Sequence, residues 1–269
     1  MGNCKIVSEK FIENKKLYHF TTFENLRSII ENGTLYMSKL DSNLNDKNEI
    51  TYIPEYSNGK IFITCFTATM NEKFWESEDY AKNSSVGVCI CFDTNRLIEI
   101  KVMSSSRKYL DFADRMSPNY NSYENESDYR IRNLIFDKVI YVDDPKKEKI
   151  FDNQTYNFFH GCVNIDESDL RKYCETILNY GFKKTILDSE GQDQSYEDEY
   201  RILARILHKG SEVKWQNERK EFPRGMFDRL LIDIKFLIPT LEIIVKKDFS
   251  FFNELERLSN EYDFKYRII

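Results

Sequence analysis

The run LYHFTTFENLRSIIENGTLYMS, Leu17 to Ser38, changes hydrophobic period twice within about 20 residues, and it carries a start and a stop signal for the element in the middle. Leu17-Tyr18-His19-Phe20 alternates as a short strand does, with Leu17 and His19 on one face and Tyr18 and Phe20 on the other. Thr21-Thr22-Phe23-Glu24 fits a capping box, in which a threonine hydroxyl and a glutamate three residues later satisfy orphan amides. Phe23, Leu26, Ile29 and Ile30 then recur at helical spacing, Gly33 supplies the stop, and TLYMS restarts a strand. A strand, a one-sided helix and a second strand, joined this tightly, constrain the chain to a mixed architecture.

The remainder agrees with one α+β domain over residues 1–269. KIFITCFTATM and SVGVCICFD are apolar strands, and between them NEKFWESEDYAKN is compatible with helix. From Met103 to Arg132 the chain is polar with little periodicity, which reads as an excursion or lid. LIFDKVIYV is the next strand, closed by Pro145, and ESDLRKYCETILNYGF is the best helical stretch before the polar loop DSEGQDQS. YEDEYRILARIL and RLLIDIKFLIPTLEIIV follow, then the amphipathic tail FFNELERLSNEYDFKYRII. No internal repeat and no Pro-, Gly- or Ser-rich linker divides the chain.

With 39 basic and 45 acidic side chains and a net charge of −6, a broad electrostatic grip on nucleic acid is disfavoured, although a local basic groove is not. No apolar run approaches the roughly 20 residues that span a bilayer, and Met1 to Lys10 lacks a signal-peptide core, so a cytoplasmic protein without membrane contact is expected. Six cysteines form no CxxC pair, and Cys65, Cys89 and Cys91 lie in apolar strands. Buried free thiols are the expectation.

Chemistry-bearing residues are few. Only three histidines occur. His19 stands at a strand end before a helix N-terminus, a place that gathers polar groups, while His160 and His208 have no such setting. In SYEDEYRILARIL, period-two alternation puts Glu197, Glu199 and Arg201 on one face. That face is either an edge strand with an ordinary ion pair or a carboxylate held by an arginine and aimed at a ligand that develops positive charge. Cys65 has no histidine near it in sequence and suits a central strand better than a nucleophile's place. Phe74, Trp75 and Tyr80 read as core or cleft wall. A metal site built on Asp46, Glu49 and His19 lacks a recognised ligand spacing, and no metal is expected.

LYHFTTFENLRSIIENGTLYMS, NLNDKNE, ITCFTATMNEKFWESEDYAKNSSVGVCICFD and YEDEYRIL, in this order, resemble the bacterial domain-of-unknown-function family 2971. Lys47 stands where that family's pattern has a proline, and Phe74-Trp75 where it has Met-Trp. The opening unit also resembles the ADP-ribosyltransferase superfamily, whose prokaryotic members include modifiers of nucleic acids. That resemblance implies a split β-sheet core with peripheral helices, NAD as substrate, and a histidine, tyrosine, glutamate trio. The trio falls on His19, Tyr36 and one of Glu197 or Glu199.

The resemblance implies an NAD-dependent ADP-ribosyltransferase, a bacterial toxin or antiphage effector. Its acceptor would be a macromolecule such as RNA, single-stranded DNA or protein, with an antitoxin or chaperone protein as a further partner. Candidate catalytic residues are Glu199 and Glu197, with Glu199 preferred because Arg201 shares its face and would keep it ionised. Candidate cofactor contacts are His19, Thr21, Tyr36, Phe66, Trp75 and Arg201. The competing reading is a non-catalytic module of the same fold that binds a nucleotide or a protein segment.

Overall fold

A computed structural model describes residues 16–40, 61–97, 100–110, 129–143, 181–187, 191–208 and 229–269. The opening unit folds as its pattern predicts: β1 (Lys16–Thr22), α1 (Phe23–Asn32) and β2 (Thr34–Lys39). The helix begins one residue later than the capping box implied. Thr22 is the N-cap and accepts from the Asn25 backbone N–H, whereas Thr21 accepts from the Asn25 side-chain amide at 3.0 Å. Gly33 ends α1 in the left-handed region, φ 65°, where a residue without Cβ carries the least strain. Phe23, Leu26, Ile29 and Ile30 are buried, each a side chain worth about 1.5–3 kcal/mol when withdrawn from water.

The described strands form one ten-stranded, mostly antiparallel sheet and a separate parallel pair, so the fold is mixed α+β with few helices. After β2 come β3 (Ile61–Thr67), α2 (Lys73–Glu76), β4 (Gly87–Asp93), α3 (Thr94–Leu97) and β5 (Lys101–Met103). Then follow β6 (Tyr129–Lys138), β7 (Ile140–Val142), β8 (Lys183–Thr185), β9 (Glu199–His208), β10 (Arg229–Asp233), β11 (Glu242–Val245), α4 (Phe252–Tyr262) and β12 (Lys265–Ile268).

The sheet forks at β3. Along one edge β3 pairs with β9 from Ile61↔Arg205 to Thr67↔Glu199, and β9 pairs in turn with β6. Its other edge is shared. β2 pairs only near the start of β3, at Ser38↔Ile63 and Lys39↔Phe62, and β1 only at its end, Tyr18↔Thr67. One arm continues through β1, β4, β11 and β12, and the other through β2, β10 and β5. Side chains bond across the fork where backbone pairing is interrupted: the His19 ring takes the Cys65 carbonyl at 3.0 Å, and the Thr64 hydroxyl donates to the Tyr36 carbonyl.

α1 spans the two arms and packs into the main core with Leu17, Leu35, Met37, Ile90, Leu230 and Ile243. A second cluster on the opposite side of β4 contains Phe20, Phe74, Trp75, Cys89 and Cys91. That two-sided burial explains why GVCICFD is apolar throughout and does not alternate. Cys65, Cys89 and Cys91 are free thiols.

Several expectations need correction. Asn71 to Asn83 contains one helical turn, after which Ser77 is extended and Lys82 takes φ 65°. Met103 lies in β5 and residues 129–132 in β6, so the polar excursion is strand at both ends, and 111–128 lie outside the described residues. β9 is no edge strand, because β3 and β6 flank it. The helical stretch Glu167–Phe182 up to residue 180, the NLNDKNE loop with Asp46 and Glu49, and His160 also lie outside the described residues.

Candidate functional site

Where β1 and β2 part, a cleft of about 300 Å³ opens, at the lower end of the ~300–1,000 Å³ range of small-molecule sites. His19 faces it from β1, Tyr36 and Ser38 from β2, Cys65 and Phe66 from β3, and Glu199 and Arg201 from β9. The fork itself thus brings His19, Tyr36 and Glu199 to one cavity although up to 180 positions separate them.

His19 is half-buried, its ring tilted against Phe66 with centroids 5.9 Å apart. A carbonyl can only accept, so the 3.0 Å contact with Cys65 fixes the proton on Nδ1. Burial outweighs that hydrogen bond and pulls the imidazole below its ordinary value. At neutral pH the ring is uncharged and its Nε2 lone pair is an acceptor, suited to a ligand hydroxyl.

Tyr36 is 43% exposed, and the Arg229 guanidinium lies 4.4 Å from its ring centroid. One ring face is engaged with a cation; the tyrosine remains wet enough to meet a ligand.

The acidic residues sit deeper. Glu197 is not on the strand: it closes a 3₁₀ turn, Ser195–Glu197, and Asp198 in the left-handed region leads into β9. The kink nevertheless keeps both carboxylates in the cleft. Tyr80 donates to Glu197 Oε1 at 2.6 Å, while Tyr141 and Lys184 reach Oε2 at 3.2 and 2.7 Å. Burial, then the nearby carboxylates, push both tyrosine hydroxyls upward, so each stays protonated and serves as a donor.

Glu199 is gripped by Arg201, Nε to Oε1 at 2.7 Å and Nη2 to Oε2 at 3.1 Å, a fork geometry that fixes the carboxylate plane. Arg201 Nη1 also donates to the Gly181 carbonyl, and Lys184 Nζ stands 3.8 Å from Glu199 Oε2. Burial raises the Glu199 carboxyl, but the Arg201 and Lys184 charges and hydrogen bonds from Arg201 and the Cys65 thiol more than reverse this. The result is an ionised carboxylate, held well below the ordinary range, in a buried pocket. Each of its oxygens accepts one Arg201 N–H and has a second lone pair.

The other sequence-derived contacts divide. Phe66 lines the cleft, though its ring is largely committed to the core against Phe92. Arg201 lines it too, but as the clamp on Glu199 rather than an outward cation. Thr21 and Trp75 do not line it. The Thr21 hydroxyl serves the start of α1, and Trp75 packs edge-on against Phe20 at 5.2 Å in the second cluster. Thr21 is thus committed to a local hydrogen bond and Trp75 to packing.

Sequence reasoning placed Tyr80 as core or cleft wall but not as a donor, and missed Tyr141 and Lys184, which links the two glutamates from the short β7–β8 pair. In FKKT, Lys184 shares by alternation the face of buried Phe182, and a lysine on a buried face calls for an acidic partner. That was the available signal. Among the described residues no group of His, Cys, Asp or Glu is arranged to hold a metal ion.

No family model, curated protein or solved structure matches the chain.

Proposed function

We propose that the chain is an NAD-dependent ADP-ribosyltransferase with an ADP-ribosyltransferase-like split sheet, acting on a macromolecular acceptor. The observation that carries the reading is the convergence of His19, Tyr36 and an ionised Glu199 on the cleft between the arms of the sheet. Cleavage breaks the bond between ribose C1′ and the nicotinamide nitrogen, and the bonding pair leaves with nicotinamide. The sugar becomes oxocarbenium-like, so a carboxylate beside it stabilises the transition state more than the ground state. The acceptor then attacks C1′ and loses its proton; water in its place gives hydrolysis. Neutral His19 offers Nε2 to a ribose hydroxyl, Tyr36 offers a ring to nicotinamide, and Glu199 faces the developing charge. A setting in bacterial conflict, as toxin or antiphage effector, belongs to the same proposal.

Nicotinamide release from NAD is the test. Glu199→Gln keeps shape and removes charge, and is expected to lower release roughly 100- to 1,000-fold. Wild type and variant equally inactive with protein, DNA and RNA acceptors would end the enzymatic reading.

One observation favours a second reading. The Glu199 charge is already met by Arg201 and Lys184, which suits a non-catalytic nucleotide-binding module. That module would show a rise in melting temperature with NAD and no turnover.

A further inference from the structure

Tyr36 starts a row across β2, β10 and β5 that ends at Tyr109, with the buried side chains of Leu231 and Met103 between the two rings. In register it pairs with Leu231 of β10, Leu231 pairs with Met103 of β5, and Met103 bridges to Tyr109. Directly paired residues project to the same sheet face, so the two tyrosines share one face. Three inter-strand steps of ~4.8 Å separate them by about 14 Å, roughly the length of four stacked nucleotides at ~3.4 Å each. Tyr109 is 57% exposed, more than any other large apolar side chain described.

Each ring carries a cation: Arg229 lies over Tyr36 at 4.4 Å, and Lys101 Nζ over Tyr109 at 5.7 Å. Both cations are exposed, as are Arg107 and Lys108 in the turn that presents Tyr109. Asp233, the carboxylate that register places beside Lys101, accepts the Tyr109 hydroxyl. In a chain of net charge −6, this strip departs from the whole in sign and in aromatic exposure.

We infer that the β2–β10–β5 face binds a single-stranded nucleic acid, a base of which stacks on Tyr109 while Lys101 and Arg229 meet its phosphates, and leads it to the cleft. Alternating π-faces and anions are the repeat of a nucleotide chain; an acidic peptide supplies the anions without the rings. The role as acceptor track rests on the transferase reading, but the binding itself does not.

Fluorescence anisotropy with a short unstructured RNA, its DNA counterpart, the matching duplex and polyglutamate tests the inference. Either single strand should bind more tightly than the duplex and polyglutamate, and the stronger of the two identifies the source. Affinity should fall with salt. Tyr109→Ala should weaken binding roughly tenfold or more, and Arg229→Ala should lower the salt slope by about one. Tyr109→Ala and Lys101→Ala should leave acceptor-free nicotinamide release unchanged. No single-strand binding, equal binding of duplex or polyglutamate, or unaltered binding by Tyr109→Ala would overturn the inference. NAD cleavage without strand binding removes this surface alone, and the expected strand binding without NAD cleavage removes the transferase reading alone.

Discussion

Lys184 joins two carboxylates that would otherwise repel each other in a buried site, at 2.7 Å from Glu197 and 3.8 Å from Glu199. Replacing it with an apolar residue of similar length leaves both anions undercompensated, and uncompensated buried charge is costly. Lys184→Met is expected to destabilise the protein by about 3–5 kcal/mol in urea titration at pH 7. The Glu199 carboxyl is held below its unfolded value of 4.5, so its contribution is present above that pH and is lost as pH falls through the lower, folded value. The difference between wild type and Lys184→Met should therefore narrow below about pH 4.5. A difference constant from pH 7 to pH 3 would mean that Lys184 acts through packing alone. At this scale the sequence was informative for Glu199 and Arg201, whose alternation announced a polar face, and for His19, which stands before a helix start, while Tyr36 was named only by the resemblance. Tyr80 and Tyr141 gave no such sign. Their partner, Glu197, is 117 and 56 positions away, a distance no local pattern encodes.

At the scale of elements, α1 holds the two arms to one core, and both of its ends are specified locally. Thr22→Ala removes the N-cap acceptor and should cost about 1 kcal/mol. Gly33→Ala forces a Cβ onto a left-handed residue and within 2.2 Å of Lys235 Cγ, and should cost about 1–2 kcal/mol. Thermal denaturation of both variants checks the pair, and no loss at Gly33 would refute the cap. α1 and β2 were legible because each buries one face, so a period survives in the sequence, whereas β1 sends Leu17 into the main core and Phe20 into the second cluster. β8 was not: it is only three residues long, and its partner β7 lies some 40 positions earlier. Alternation puts Glu197 in register with the strand, but the 3₁₀ turn and Asp198 at φ 41° detach it. A single left-handed residue is enough to break a period that the side chains otherwise suggest.

For the whole molecule, the fork of the sheet is the feature that matters most. β1 and β2 each held strong strand patterns, yet their attachment to opposite ends of one edge of β3 depends on pairings 23 to 49 residues apart. Hydrophobic patterning specifies which residues face inward, but leaves open which end of a neighbour a strand takes. The cleft and its chemistry follow from that choice. A structure of the protein with a non-hydrolysable NAD analogue tests the central claim most directly. The nicotinamide ribose is expected between β1 and β2, with a ribose hydroxyl within ~2.6–3.2 Å of His19 Nε2 and the Glu199 carboxylate facing the sugar. A dinucleotide seated outside the fork, or His19 and Glu199 without contact to it, would contradict the account.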